Sequence, residues 1–173
     1  MKKVLKSIGW LLLIALLVIQ FFRPEKNIST GDQLNAIGKL YPVPDDVNII
    51  MKKACNDCHT NNTVYPWYSK IQPVAWWLAD HVNEGKKELN FDEYTTRRPR
   101  FQYRRMEQTI DLVKKDEMPL PSYTWTHKDA ILTPEEKAKL TEWAQSVMKI
   151  LESQYPMDSL KRPATLPVPP SKS

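Results

Sequence analysis

Apolar residues are distributed along this chain in two distinct patterns, one continuous and one periodic. The continuous one is Ser7–Phe22, polar only at Ser7, Gly9 and Gln20 and preceded by Lys2, Lys3 and Lys6. At about 1.5 Å per residue such a helix covers roughly 24 Å, or about 28 Å from Val4 with Lys6 snorkelling, against about 30 Å of hydrocarbon. A cleaved leader would close on small residues, whereas this run closes on Gln20-Phe21-Phe22-Arg23-Pro24. The pattern predicts an uncleaved transmembrane signal anchor over 7–22. Residues 1–6 are then its basic cytoplasmic end, and the rest of the chain lies on the periplasmic side of an inner membrane in a single-pass arrangement.

The periodic pattern begins after Pro44-Asp45, where Val47, Ile50, Met51 and Ala54 fall at i, i+3, i+4 and i+7. A second helix is predicted from Pro73 with Ala75, Leu78, Ala79 and Val82 on one face and Gly85 near its end, and a third over Arg100–Lys114 with Tyr103, Met106, Ile110 and Val113 in register. The last is the clearest. Thr133-Pro134-Glu135-Glu136 has the form of a capping box with proline at the first helical position, followed by Leu140, Trp143, Ala144, Val147 and Leu151 on one face. No stretch alternates as a strand would, so the fold class is all-α. Residues 23–40 are polar and aperiodic and read as a tether, 41–154 as one helical domain, and 155–173, with five prolines, as a disordered tail.

Charge changes this picture little. The chain carries +5 overall, but without Lys2, Lys3 and Lys6 the balance is 22 basic against 20 acidic residues, so the basic character is no sign of nucleic acid. One local cluster stands out: Arg97, Arg98, Arg100, Arg104 and Arg105. It suits a solvated helix face, neutralisation of carboxylates on a bound cofactor, or docking of an acidic redox partner.

The candidate chemistry is concentrated in Cys55-Asn56-Asp57-Cys58-His59, which holds the only two cysteines of 173 residues. Thiols at i and i+3 can add to the two vinyl groups of one porphyrin edge while the adjacent imidazole ligates iron, the arrangement that attaches a c-type haem. A thioredoxin-like dithiol calls for a flanking βαβ pattern, and none is present. A zinc site needs about four ligands, and beyond these three only His81, His127 and carboxylates remain. A disulfide across so short a loop constrains the unfolded chain little. One motif implies one covalently attached haem, with His59 as proximal metal ligand.

For the second iron ligand Met118 is the candidate, set after the third helix in Glu117-Met118-Pro119-Leu120-Pro121. There the prolines hold the backbone extended, free of helical constraint. Met51, Met106 and Met148 belong to helical stretches and read as core, and His127 is the chief rival. Tyr65, Trp67, Tyr68, Trp76 and Trp77 supply aromatic density for a haem wall. A carbonyl near Pro66 or Pro73 is expected to accept from the second nitrogen of His59.

From about Tyr41 to Leu151 the chain resembles the bacterial haem-binding domain family of small, membrane-anchored, monohaem, cytochrome c-like proteins. The resemblance rests on Cys55–Thr63, on Tyr65-Pro66-Trp67-Tyr68-Ser69-Lys70-Ile71-Gln72-Pro73-Val74-Ala75-Trp76-Trp77, on His81-Val82-Asn83-Glu84-Gly85 and on Glu117-Met118-Pro119-Leu120. It implies a cytochrome c-like fold and covalent haem c held by Cys55, Cys58 and His59, with Met118 as distal ligand, and it names no partner. The expected role is that of a non-enzymatic carrier of single electrons to an unknown redox partner protein. A haem-based sensor or peroxidase-like protein is the alternative, and a two-haem peroxidase lacks its second motif.

Overall fold

The computed structural model describes residues 1–161. Among them are eight α-helices: α1 (Lys2–Ile19), α2 (Asp45–Ala54), α3 (Asn56–His59), α4 (Val74–Glu88), α5 (Pro99–Lys114), α6 (Pro121–Thr124), α7 (Pro134–Gln154) and α8 (Met157–Leu160). No strand occurs among the described residues, only an isolated antiparallel bridge between Ile28 and Asn62. The all-α reading therefore stands, and the four periodic segments are α2, α4, α5 and α7.

The core forms where α5 lies along α7 and α2 packs on the same helix. Met106, Ala144 and Val147 are wholly buried there, with Val47, Ile50, Tyr103, Leu140, Trp143 and Leu151 around them. These are the i, i+3, i+4 residues of each helix, and each apolar stripe covers its neighbours'. The capping box is present: Thr133 Oγ1 accepts from Glu136 N at 3.2 Å and Glu136 Oε2 from Thr133 N at 2.9 Å. Several buried polar groups of the core are paired, whereas Asn56 Oδ1 and Arg105 Nε are buried without a hydrogen-bond partner among the described residues. Tyr41 donates to Gln102 Oε1 at 2.6 Å, Tyr94 to the Gln102 carbonyl at 2.8 Å, and Trp143 Nε1 to the Pro42 carbonyl at 3.0 Å.

Three sequence expectations change. No helix among the described residues is long and apolar enough to cross a membrane, which overturns the transmembrane anchor and with it the single-pass inner-membrane placement. The helix stops at Ile19, and three of its 18 residues are lysines. Its uncharged part, Ser7–Ile19, covers only about 20 Å. The end of the apolar run is instead taken up by the domain. Gln20 Oε1 accepts from Gln72 N at 2.9 Å, Gln20 Nε2 donates to the Gln72 carbonyl at 3.2 Å, and Gln72 Nε2 donates to the Phe22 carbonyl at 2.7 Å.

The stretch read as a tether is also docked. Asn27 Nδ2 donates to the Thr60 carbonyl and to Thr63 Oγ1, both at 2.9 Å, Ser29 N donates to Asn62 Oδ1 at 2.9 Å, and Ile37 is buried in the core. A polar segment without periodicity can be held by amides and hydroxyls as firmly as an amphipathic one by its apolar face. Finally, the first residues of the proline-rich tail belong to the domain. Leu160 is buried against the core, and Arg100 donates to the carbonyls of Ser159 (2.9 Å) and Asp158 (2.8 Å). The remainder of that predicted tail lies outside the described residues.

Candidate functional site

The Cys55–His59 motif is placed by two helices meeting end to side. Helix α2 delivers Cys55, whose N–H bonds to the Met51 carbonyl at 2.9 Å, and the chain re-enters a single helical turn, α3. That turn lies flat on α4 at Gly85, where a Cβ would come within 2.6 Å of the Cys58 carbonyl oxygen and 3.0 Å of the Cys58 Cβ. Only a residue without a side chain permits this approach, so Gly85 serves inside α4 rather than as its cap.

The same contact orients the histidine. His59 Nδ1 lies 2.8 Å from the Leu89 carbonyl and 3.0 Å from that of Gly85. A carbonyl accepts only, so Nδ1 carries the proton and Nε2 is left bare. Burial holds the imidazole below its ordinary range, against the opposite pull of the two carbonyls. The result is a neutral ring presenting one lone pair, the form a metal requires. The carbonyls come from the end of α4, not from the loops at Pro66 or Pro73 as expected.

Both cysteines are free thiols. Burial is the chief cause pushing Cys55 up to about 12 and Cys58 up to about 11, with Cys58 and Asp57 respectively adding to it. A redox dithiol needs the opposite shift. The described residues contain no group of three or more His, Cys, Asp or Glu side chains able to hold a metal ion.

Cys55, Cys58 and His59 line an open cleft of about 640 Å³, and Met118 and Leu120 line it too. Met118 arrives there because α5 ends in a Schellman turn. Asp116 adopts φ 60°, Glu117 N donates to the Leu112 carbonyl at 2.9 Å and Asp116 N to that of Val113 at 3.3 Å. The chain reverses, and the next residue is the half-buried methionine. His127, its rival, is elsewhere: it stacks on Tyr123 with 4.1 Å between centroids and lines a neighbouring cavity of about 470 Å³. His81 does line the cleft, with Nδ1 2.8 Å from the Trp77 carbonyl. Its place one turn before Gly85 on α4 was the available signal.

Two further expectations fare differently. Tyr65, Tyr68 and Trp77 wall the neighbouring cavity rather than the cleft, and Trp67 and Trp76 are exposed. None of the clustered arginines lines the cleft, where the cation is Lys87. Arg97, Arg104 and Arg105 lie over Phe101, and Arg105 pairs with Glu88 at 2.6 Å.

The residues present fit a haem. The cleft has the capacity of a cofactor site, about 300–1,000 Å³, and its donors are two thiols, a tautomer-fixed neutral imidazole and a thioether. In comparison with known proteins, residues 14–146, well over half of the chain, match the family model for the haem-binding domain. No curated protein and no solved structure matches the chain.

Proposed function

The chain belongs to the haem-binding domain family, and from that premise we propose that it is a single-haem c-type electron carrier rather than an enzyme. In this reading Cys55 and Cys58 hold the porphyrin through thioethers, His59 Nε2 is the proximal ligand and Met118 Sδ the distal one. Bound haem supplies an iron that takes up and releases one electron, with the thioether favouring the reduced state relative to two imidazoles. The observation that carries the reading is the commitment of His59 Nδ1 to two backbone carbonyls in a cleft shared with both thiols and Met118.

Each residue has a separate task. The Leu89 and Gly85 carbonyls fix the His59 tautomer and make Nε2 a stronger donor. Gly85 brings α3 close enough for that bond. Leu120 and Pro119 line the cleft beside Met118 and give that side of it an apolar wall. With His59 and Met118 both holding the iron, such a site would exchange electrons with little rearrangement and would offer no open position to oxygen or peroxide.

The test is the protein expressed with a c-type maturation system. Haem is expected to stay with the chain after denaturation, and the oxidised spectrum is expected to be low-spin with the weak methionine-to-iron charge-transfer band, lost in Met118→Ala. Haem extractable from the denatured chain, or a high-spin spectrum unaltered by Met118→Ala, refutes the proposal.

A further inference from the structure

The segment that carries Met118 is fastened to the haem-attachment motif by one side chain. Tyr123, in α6, donates its hydroxyl to Asp57 Oδ2 at 2.8 Å. Asp57 sits between the two cysteines, and its other oxygen accepts from Val64 N at 2.9 Å, which holds the carboxylate in place. Tyr123 and Leu120 both line the cleft with Met118, Cys58 and His59.

The packing makes this bond consequential. Asp57, Cys58, His81, Leu120 and Tyr123 form the wall common to the cleft and to the neighbouring apolar cavity of about 470 Å³. Met118 itself packs against the core, but behind Leu120–Tyr123 there is space rather than close-packed core, so apolar contacts do not fix the depth of that part of the segment. At its start Met118 is held by the turn that ends α5, through Met118 N to the Leu112 carbonyl at 3.3 Å. At its far end the link from Tyr68 to Thr126 Oγ1, 2.8 Å, is exposed. Between these points, among the described residues, Tyr123–Asp57 is the side-chain hydrogen bond joining the segment to the motif.

We propose that Tyr123, through its hydrogen bond to Asp57, is the positioning residue that seats Met118 over the haem iron and keeps small ligands from displacing it. The inference rests on the ligation reading above. The hydroxyl is committed to Asp57, and through it acts on the distance between the segment that carries Met118 and the motif that carries His59. A hydrogen bond to a charged acceptor is worth about ten- to a hundredfold in an equilibrium, and that factor should appear in the competition between Met118 and an added ligand.

The experiment is titration of the oxidised, haem-loaded protein with imidazole, following the methionine-to-iron charge-transfer band. Tyr123→Phe is expected to weaken the band and to raise imidazole affinity by about ten- to a hundredfold, with covalent haem content unchanged. Imidazole affinity and band equal to the parent's overturn the proposal. Should Tyr123→Phe not accumulate, Asp57→Asn leaves one acceptor oxygen where the carboxylate gives one each to Val64 N and the Tyr123 hydroxyl, so the charge-assisted bond is lost and a shift in the same direction is expected; no shift there is equally fatal. Met118→Ala separates this inference from its premise. A band that survives Met118→Ala overturns the ligation itself, whereas its loss beside an unaltered Tyr123→Phe overturns only the positioning role.

Discussion

Replacing Gly85 by alanine sets two effects of opposite sign against each other, and the structure decides between them. In an open helix interior alanine is favoured over glycine by about 1 kcal/mol. At position 85 the added carbon would lie 2.6 Å from the Cys58 carbonyl oxygen, 3.0 Å from its Cβ and 3.2 Å from its carbonyl carbon. Two of these atoms are backbone and no rotamer change relieves them; α3 must retreat by roughly 0.8 Å to restore ordinary contact near 3.4 Å. Insertion of a carbon into a packed site costs about 1–3 kcal/mol, and rigid neighbours place this case near the upper end. The net expectation is a loss of about 2 kcal/mol, or roughly 4–8 °C in Tm for a chain of this length. The same retreat lengthens the bond from His59 Nδ1 to the Gly85 carbonyl, now 3.0 Å, so less haem-loaded protein should accumulate. Thermal unfolding of the loaded protein followed by far-UV circular dichroism gives the first quantity and haem absorbance per chain the second. A Gly85→Ala protein that melts with the parent or a few degrees above it, with full haem content, would show propensity winning and refute the close approach of α3 to α4.

Met106, wholly buried between α5 and α7, should cost about 2–5 kcal/mol as Met106→Ala, read from denaturant midpoints; a loss under 1 kcal/mol would mean that the core collapses around the gap. In haem-free protein, alkylation of Cys55 and Cys58 at pH 8 should run at least about a hundredfold slower than in the unfolded chain, because burial raises both thiols to about 12 and about 11; equal rates would restore the reactive dithiol. Glu136 lies below its ordinary value because Lys53 bonds it at 2.6 Å and Thr133 N adds a second bond. Its contribution is therefore full above about pH 4.3 and lost as pH falls through the lowered folded value. Glu136→Gln should flatten that acid limb by up to about 1 kcal/mol, and an unchanged acid titration would rule the linkage out.

What could be read from the sequence was what is local. Val47, Ile50, Met51 and Ala54 announce a helix that ends at Cys55, and the Thr133–Glu136 box announces the start of α7, because both signals are complete within a few residues. The His59 partner was misplaced because a carbonyl has no side-chain signature: Gly85 and Leu89 are 26 and 30 residues away and are chosen by how α4 packs. The anchor failed for a related reason. Counting apolar residues carries Ser7–Phe22 past Ile19, but Gln20 finds a partner in Gln72, 52 residues on, and the helix ends there. Polar segments such as Asn27–Gln33 were read as free because their partners, Thr60–Thr63, are themselves polar and leave no periodic trace.

The residues misjudged and the residues found come together on α4. Its Gly85 admits the motif, the Gly85 and Leu89 carbonyls at its end fix the imidazole, and His81 one turn earlier faces the same cleft. A helix chosen by amphipathic spacing alone would need only Ala75, Leu78, Ala79 and Val82. The glycine at 85 lowers the helix's own stability by about 1 kcal/mol, and nothing in the apolar stripe compensates for that. The compensation is in the contact with α3, so the stability of α4 and the geometry of His59 depend on the same few atoms. A substitution that improves the helix in isolation is therefore expected to damage the site.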